Sequence, residues 1–144
     1  MAKELGADEI ICCEKKDLAT ETNRLTEGQG VKAVLDFVAS SETLEASLAS
    51  LGIGGRLVIP GFRPPEVLSV TPTFRVDPLV VLAKGLEIHG SRYVSIAELI
   101  ETLEIVKQGK IKPIVTQVFP LEEAEKVHRL LTENRITGRA ALVF

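Results

Sequence analysis

The chain has 144 residues, a length that fits one domain and leaves little room for a second. Hydrophobic residues make up 45%, charged residues 26% and aromatic residues 4%, a balance that predicts a packed, soluble globular domain. Lys and Arg number 17 against 20 Asp and Glu, so the formal charge of -3 gives nucleic-acid binding no electrostatic basis.

The composition also indicates where the protein is located and whether it binds a metal ion. The apolar runs fall far below the roughly 20 residues that cross a bilayer, so we expect no membrane helix. The N-terminus has acidic residues and no apolar core, unlike a targeting peptide, which predicts a cytoplasmic protein. Cys12 and Cys13 are adjacent and read as small core or edge residues. With no other Cys, and His89 and His128 far apart, we expect no disulfide scaffold and no metal site.

Strand and helix signals alternate in the first third of the chain. Residues 8–13 read as a short buried strand, and Asp17 is a good N-cap for the helix that follows. Residues 31–38 are almost continuously apolar, which predicts an interior parallel strand covered on both faces. Ser40 or Ser41 then caps a second helix.

The same alternation continues through the middle of the chain. Residues 56–60 and 86–91 predict two more strands, separated by a long proline-rich loop with one short helix near residues 79–83. Ser95 and Glu98 have capping-box spacing, which predicts the start of a further helix.

The last third repeats the pattern once more. Residues 114–119 predict a strand, residues 121–131 a helix with Val127 and Leu131 facing inward, and residues 138–144 a closing strand. Strands that alternate with helices imply right-handed crossovers, and so a single α/β domain over residues 1–144 with a doubly wound parallel sheet.

Candidate binding residues follow the predicted strands, because ligands of open parallel sheets collect beyond the carboxyl ends of the strands. These residues are Asp36, Phe37, Val38, Gly61, Phe62, His89 and Ser91. Small residues beside flat apolar ones are better suited to binding a planar ring and a sugar than to general acid and base catalysis. We therefore assign no catalytic residue. Ordinary loop composition explains the same residues equally well.

Individual residues in this set have competing interpretations. Asp36 more often accepts nearby hydrogen bonds than acts as a catalytic acid, and His89 is as consistent with a structural role as with a reactive one. Arg139 follows a glycine and could pair with a pyrophosphate. Gly52 and Gly54 follow a helix and precede a strand, the reverse of the context that a phosphate-binding turn requires.

Several blocks of the sequence, in order, resemble the C-terminal portion of the cofactor-binding half of zinc-type alcohol dehydrogenases, in the medium-chain dehydrogenase/reductase family. They are AKELGADEII at 2–11, GVKAVLDFV at 30–38, GGRLV at 54–58, GKIKP at 109–113, PLEEA at 120–124 and GRAALV at 138–143.

This resemblance implies an incomplete Rossmann-like doubly wound sheet that lacks the first two strands and has extra C-terminal strands. It further implies hydride transfer between NAD or NADP and an alcohol or carbonyl in a longer parent, with zinc in the parent only. By similarity, Phe37 and Val38 flank the adenine, Gly61 and Phe62 the ribose and nicotinamide, His89 and Ser91 the nicotinamide amide, and Arg139 the pyrophosphate.

The family's Gly-rich turn, ribose-binding acid and zinc ligands lie upstream of the block at Ala2. The resemblance therefore predicts a truncated product, fragment or piece of a longer polypeptide, inactive by itself.

Without the family's first two strands, the strand at Ile10 would lose its neighbour and the strand at Val31 to Val38 would become an edge, and exposed edges tend to pair. We expect either that the strand at Ile10 docks against the strand at Val31, or that another chain fills the gap. The resemblance also implies a homodimer formed through the strand at residues 86–91. Two alternatives stay open: a non-catalytic dimerisation or interaction remnant, and a fragment of a zinc-free quinone or enoyl reductase.

Overall fold

Helices and strands alternate along the chain in a computed structural model that describes residues 1–13, 15–61 and 73–144. The first of two units, Met1–Tyr93, contains a 3-10 helix at Lys3–Leu5, α1 (Leu18–Leu25), β1 (Val31–Leu35), α2 (Ser41–Ser50), β2 (Leu51–Ile59), α3 (Pro78–Lys84) and β3 (Glu87–Gly90). The second unit, Val94–Phe144, contains α4 (Ile96–Lys107), β4 (Val115–Pro120), a 3-10 helix at Leu121–Glu123, α5 (Ala124–Thr132) and β5 (Arg139–Val143).

All strand pairs of the described residues are parallel. In the first unit β2 lies between β1 and β3, with Leu57 opposite Val34 on one side and Ile88 on the other. In the second unit β4 pairs with β5. The expected fold class is therefore confirmed as α/β with a partial Rossmann-like sheet and additional C-terminal strands. The single-domain organisation stays a prediction.

Helices begin where the capping residues predict. The Asp17 carboxylate accepts a hydrogen bond from the Thr20 amide at 2.8 Å. Ser40, rather than Ser41, caps α2 in a reciprocal box with Thr43. Ser95 caps α4, and the Glu98 carboxylate accepts hydrogen bonds from the Ser95 amide and hydroxyl. These caps satisfy amides that have no partner inside the helix, which fixes where each helix starts.

The core of the first unit lies between α2 and the three-stranded sheet. Leu51 and Leu57 of β2 are fully buried and pack with Leu44 and Leu48 of α2 and with Ala39. This packing holds α2 against the sheet, so the turn that joins β1 to α2 has a fixed position at the carboxyl edge of the sheet.

Two glycines permit a close approach of backbone at the other edge of the sheet. A Cβ atom added to Gly30 would lie 2.6 Å from the Gly52 amide nitrogen, and one added to Gly52 would overlap the Gln29 carbonyl oxygen. Gly52 is therefore required by backbone packing in this structure.

The predicted strand at residues 8–13 is wrong. This described stretch contains no strand, Ile10 is exposed, and Cys12 and Cys13 are exposed rather than core or edge residues. The expected docking of Ile10 against Val31 is also wrong, since within the described residues β1 pairs with β2 alone. A short apolar segment forms a strand only where a neighbouring strand takes its backbone hydrogen bonds, and no strand of the described residues does so for this segment.

The strand predicted over residues 31–38 ends at Leu35, and Leu35 itself is exposed. Among the described residues β1 pairs with β2 alone, so it is an edge strand, as the resemblance implied, and not an interior strand covered on both faces. In the second unit Val127 is buried as expected, whereas Leu131 is exposed. None of the helices in the described part of the chain has both the length and the apolar character needed to span a membrane.

Candidate functional site

The carboxyl ends of the three parallel strands in the first unit form one edge of the sheet, and five of the predicted residues lie there. Phe37 and Val38 follow β1, Gly61 follows β2, and Ser91 follows β3. His89 lies in β3 opposite Val58. The Ser91 amide donates to the Ile59 carbonyl at 3.0 Å, which extends the pairing of β2 and β3 past the end of β3. Phe62 lies outside the described residues.

The turn after β1 is organised by the buried carboxylate of Asp36, which is 6% exposed. Its Oδ1 accepts hydrogen bonds from the amides of Val38 at 3.0 Å and Ala39 at 2.9 Å. Its Oδ2 accepts a hydrogen bond from the Ser47 hydroxyl of α2 at 3.1 Å. Asp36 is therefore an acceptor that ties the turn to α2, as the sequence indicated.

The pKa of Asp36 reflects this environment. Burial raises the pKa, but hydrogen bonds from the Ala39 amide, the Thr43 side chain, the Val38 amide and the Ser47 hydroxyl outweigh it. The net result is a pKa below the ordinary value for aspartate. The carboxylate is consequently ionised at neutral pH and has no proton to donate.

Ala39 shows that this turn is strained. Its φ angle is 50°, in the left-handed region that residues with a Cβ seldom adopt, and its side chain is buried. The hydrogen bond to Asp36 holds this conformation. In the same turn Phe37 has 72% of its surface exposed.

Gly61 and Gly90 leave open space at the same edge. A Cβ atom added to either glycine would meet nothing within 4 Å among the described residues, and neither has a positive φ angle. Backbone packing therefore does not demand glycine at these two positions. Glycine there does allow another molecule to approach the backbone closely.

A charged cluster on one face of the sheet was missed from the sequence. The Glu87 carboxylate accepts a hydrogen bond from Arg56 Nε at 2.6 Å and lies 3.0 Å from His89 Nε2. Hydrogen bonds, first from Arg56 and then from His89, lower the pKa of Glu87. Strand alternation could have indicated this cluster. Side chains alternate along strands, so residues 56 and 58 of β2 share one face, as do residues 87 and 89 of β3.

Arg139 lies in the second unit. It is the first residue of β5, it is exposed, and its amide donates to the Ile114 carbonyl at 2.8 Å. That Arg139 shares a site with Phe37 stays a prediction.

Metal ligands were not expected in this chain. Across residues 1–13, 15–61 and 73–144, the structure has no group of three His, Cys, Asp or Glu side chains that could hold a metal ion. The described residues therefore do not fit a zinc site, and we assign none of them a role in zinc chemistry.

Comparison with known proteins identifies the family. The model of the family described as "Zinc-binding dehydrogenase" matches residues 5–142. An "NAD-dependent alcohol dehydrogenase" of Saccharolobus solfataricus is 29% identical over 142 residues, covering 99% of this chain and 39% of the relative. A "D-arabinose 1-dehydrogenase (NADP(+))" of the same organism is 29% identical over 141 residues, covering 98% and 38%.

Solved structures agree with these relatives. The alcohol dehydrogenase of the archaeon Aeropyrum pernix superposes with a TM-score of 0.84 at 29% identity, covering 99% of this chain and 39% of that one. The chain thus spans about two fifths of the length of the curated relatives named here. Since the family model covers nearly all of the chain, the resemblance is confirmed: the chain belongs to the zinc-binding dehydrogenase family, as part of the cofactor-binding portion of a zinc-type alcohol dehydrogenase-like protein.

Proposed function

We propose that this chain binds a nicotinamide dinucleotide along the carboxyl edge of its three-stranded sheet, as the cofactor-binding portion of an alcohol dehydrogenase-like oxidoreductase. The observation that carries the proposal is the turn held by Asp36, which exposes the ring of Phe37 at the same sheet edge as the open glycine Gly61. An exposed ring and an open backbone at the carboxyl edge of parallel strands suit a planar base and a sugar.

Each predicted site residue has a physical role in this proposal. Phe37 and Val38 offer apolar surface to the adenine, and Gly61 with Phe62 lets the ribose and nicotinamide approach. His89 and Ser91 offer polar groups to the nicotinamide amide, and the Arg139 guanidinium pairs with the pyrophosphate. The cofactor supplies the hydride chemistry when bound, while these residues orient it. By itself the chain is proposed to be inactive.

The cofactor class is supported by the names of the relatives, one of which is NAD-dependent and another NADP-dependent. We therefore propose NAD or NADP without choosing between them. A quinone or enoyl reductase parent is not favoured, because the family model and the relatives support an alcohol dehydrogenase-like protein. The substrate of the longer parent is proposed only as an alcohol or its carbonyl product.

Calorimetric titration with NADH and NADPH tests the proposal. We expect binding of at least one of them, and Phe37→Ala should weaken it roughly 2- to 13-fold because an aromatic contact contributes about 0.5–1.5 kcal/mol. The matched control is Leu82→Ala on α3, an apolar side chain that is 80% exposed. It lies two residues before Lys84, which contacts the Leu51 carbonyl at the opposite end of β2 from Gly61. This control should leave the affinity unchanged.

A folded chain that binds neither cofactor at millimolar concentration would contradict the proposal. If that chain were also a stable dimer, the result would favour the alternative of a non-catalytic interaction module. Equal weakening by Phe37→Ala and Leu82→Ala would place the cofactor elsewhere on the molecule.

We also propose that the chain forms a homodimer through β3. In the described residues β3 pairs with β2 on one side, so its other edge is open. The Ser91 amide points toward β2, and alternate residues of a strand point to opposite sides, so the amides of Ile88 and Gly90 face the open edge. Unpaired amides and the exposed Ile88 side chain make this edge suitable for pairing with a second copy.

Sedimentation velocity tests the dimer. We expect a species of twice the 15.6 kDa of one chain. Ile88→Pro removes an outward amide without removing a hydrogen bond to β2 and should yield the monomer. Ile88→Val is the control that should stay dimeric. A wild-type chain that is monomeric at all concentrations, or a dimer unaffected by Ile88→Pro, would rule out this interface.

A further inference from the structure

A cavity lies at the amino-terminal edge of the three-stranded sheet, opposite the edge proposed for the cofactor. Its volume is about 540 Å³, and its lining includes Asn23, Gln29, Lys32, Leu51, Ile53 and Lys84. β2 spans nine residues, so this edge lies about 30 Å along the strand from the edge proposed for the cofactor. The two sites are therefore separate.

Two lysines bring positive charge to this cavity. Lys84, in the last turn of α3, donates from Nζ to the Leu51 carbonyl at 2.7 Å. Lys32 of β1 donates from Nζ to the Ile53 carbonyl at 2.9 Å. The two carbonyls are two residues apart in β2, so one short stretch of backbone holds both ammonium groups.

These two charges are not neutralised by acidic groups. No acidic side chain lines the cavity, and no ion pair involves Lys32 or Lys84, within the ranges that the structure describes. An ammonium group has three N–H donors, and a single carbonyl uses one of them. Each lysine thus keeps donors for a further acceptor, and an anion between them would form charge-assisted hydrogen bonds.

One wall of the cavity is closely packed backbone. Gly30 and Gly52 pack backbone against backbone with no room for a Cβ atom, so this end of β2 has little freedom to collapse into the space. The amides of Asn23 and Gln29 add polar groups, while Leu51 and Ile53 add apolar surface. The space is larger than one inorganic anion needs and fits a small organic molecule that carries it.

We propose that this cavity is a binding site for a small organic phosphate, whose dianionic phosphate group lies between Lys32 and Lys84. The site does not depend on the proposed nicotinamide site, because it uses different residues at the opposite edge of the sheet.

Titration of the full chain with inorganic phosphate and with glycerol 3-phosphate tests the proposal, at an ionic strength kept constant with sodium chloride. We expect saturable binding in calorimetry and a higher midpoint of thermal unfolding, with glycerol 3-phosphate bound at least as tightly as phosphate. Lys32→Gln and Lys84→Gln should each weaken binding about tenfold, as expected for the loss of a charge-assisted hydrogen bond. Lys15→Gln, which removes an exposed charge elsewhere in the same unit, should change the affinity less than twofold.

Two further variants keep the test decisive if Lys84→Gln fails to fold. Lys32→Arg and Lys84→Arg retain the charge and should retain most of the binding. NADH titration of each folded variant is a separate readout, because its affinity should stay at the wild-type value. Absence of binding above the chloride control, an equal loss in Lys15→Gln, or full binding by the Lys32→Gln, Lys84→Gln double variant would overturn the proposal.

Discussion

Gly52→Ala is expected to destabilise the first unit by about 3 kcal/mol or more, or to prevent its folding. The added Cβ atom would overlap the Gln29 carbonyl oxygen, and this obstacle is backbone rather than a flexible side chain. Overpacked sites cost roughly 1–3 kcal/mol where the surroundings can adjust, and a rigid backbone contact raises that cost. Urea unfolding followed by circular dichroism should show a midpoint shifted to much lower urea concentration.

The control for this prediction is Gly90→Ala at the opposite end of the sheet. There the added Cβ atom meets nothing within 4 Å among the described residues, so the free energy of unfolding should change by less than about 0.5 kcal/mol. If both variants unfolded at the same urea concentration, the close approach of Gly30 and Gly52 would not be a determinant of stability.

Asp36→Ala is expected to lower the free energy of unfolding by about 3 kcal/mol or more, because three hydrogen bonds to a charged group are lost. The substitution leaves the Val38 and Ala39 amides and the Ser47 hydroxyl without their acceptor, and hydrogen bonds to a charged group contribute about 1.5–3 kcal/mol each. Asp36→Asn keeps an oxygen acceptor, so its free energy of unfolding should fall by less than that of Asp36→Ala. Urea unfolding of the three proteins at neutral pH measures this order, and a wild-type midpoint for Asp36→Ala would contradict it.

The same carboxylate predicts a pH dependence with a defined sign. The pKa of Asp36 is lower in the folded chain than its ordinary value of 3.8, so its stabilisation is complete above that value and is lost as pH falls through the folded pKa. Glu21, whose pKa is lowered to about 2 by hydrogen bonds from Arg24 and Lys16, loses stabilisation over an overlapping range. The quantity to measure is therefore the difference in the free energy of unfolding between wild type and Asp36→Asn. This difference should shrink below about pH 4. A difference that grows on acidification would reverse the assigned sign.

Local signals in the sequence predicted much of this fold. Asp17, Ser40 and Ser95 cap the helices that they were expected to start, because a cap acts on amides two or three residues away and needs no distant partner. The same holds for Asp36, because the Val38 and Ala39 amides that donate to its carboxylate lie in its own turn. The order of the sequence blocks was enough to indicate the family, and the family model agrees.

Features that depend on distant partners were not predictable from local pattern. Residues 8–13 have strand-like composition, but a strand needs a neighbour, and the sequence does not say whether one is present. The cluster of Arg56, Glu87 and His89 depends on the register between β2 and β3, 31 residues apart in the case of Arg56 and Glu87. The two lysines of the amino-terminal cavity likewise reach the β2 carbonyls only after β1 and α3 have packed against β2.

The exposed pair Cys12 and Cys13 affects how the association state must be measured. Accessible thiols on two copies can be oxidised in air to a covalent link, and such a linked pair has the same mass as the non-covalent dimer proposed through β3. Centrifugation should therefore be done in the presence of a reductant, with non-reducing electrophoresis alongside it. Only an assembly that persists with both sulfur atoms reduced reports on backbone pairing.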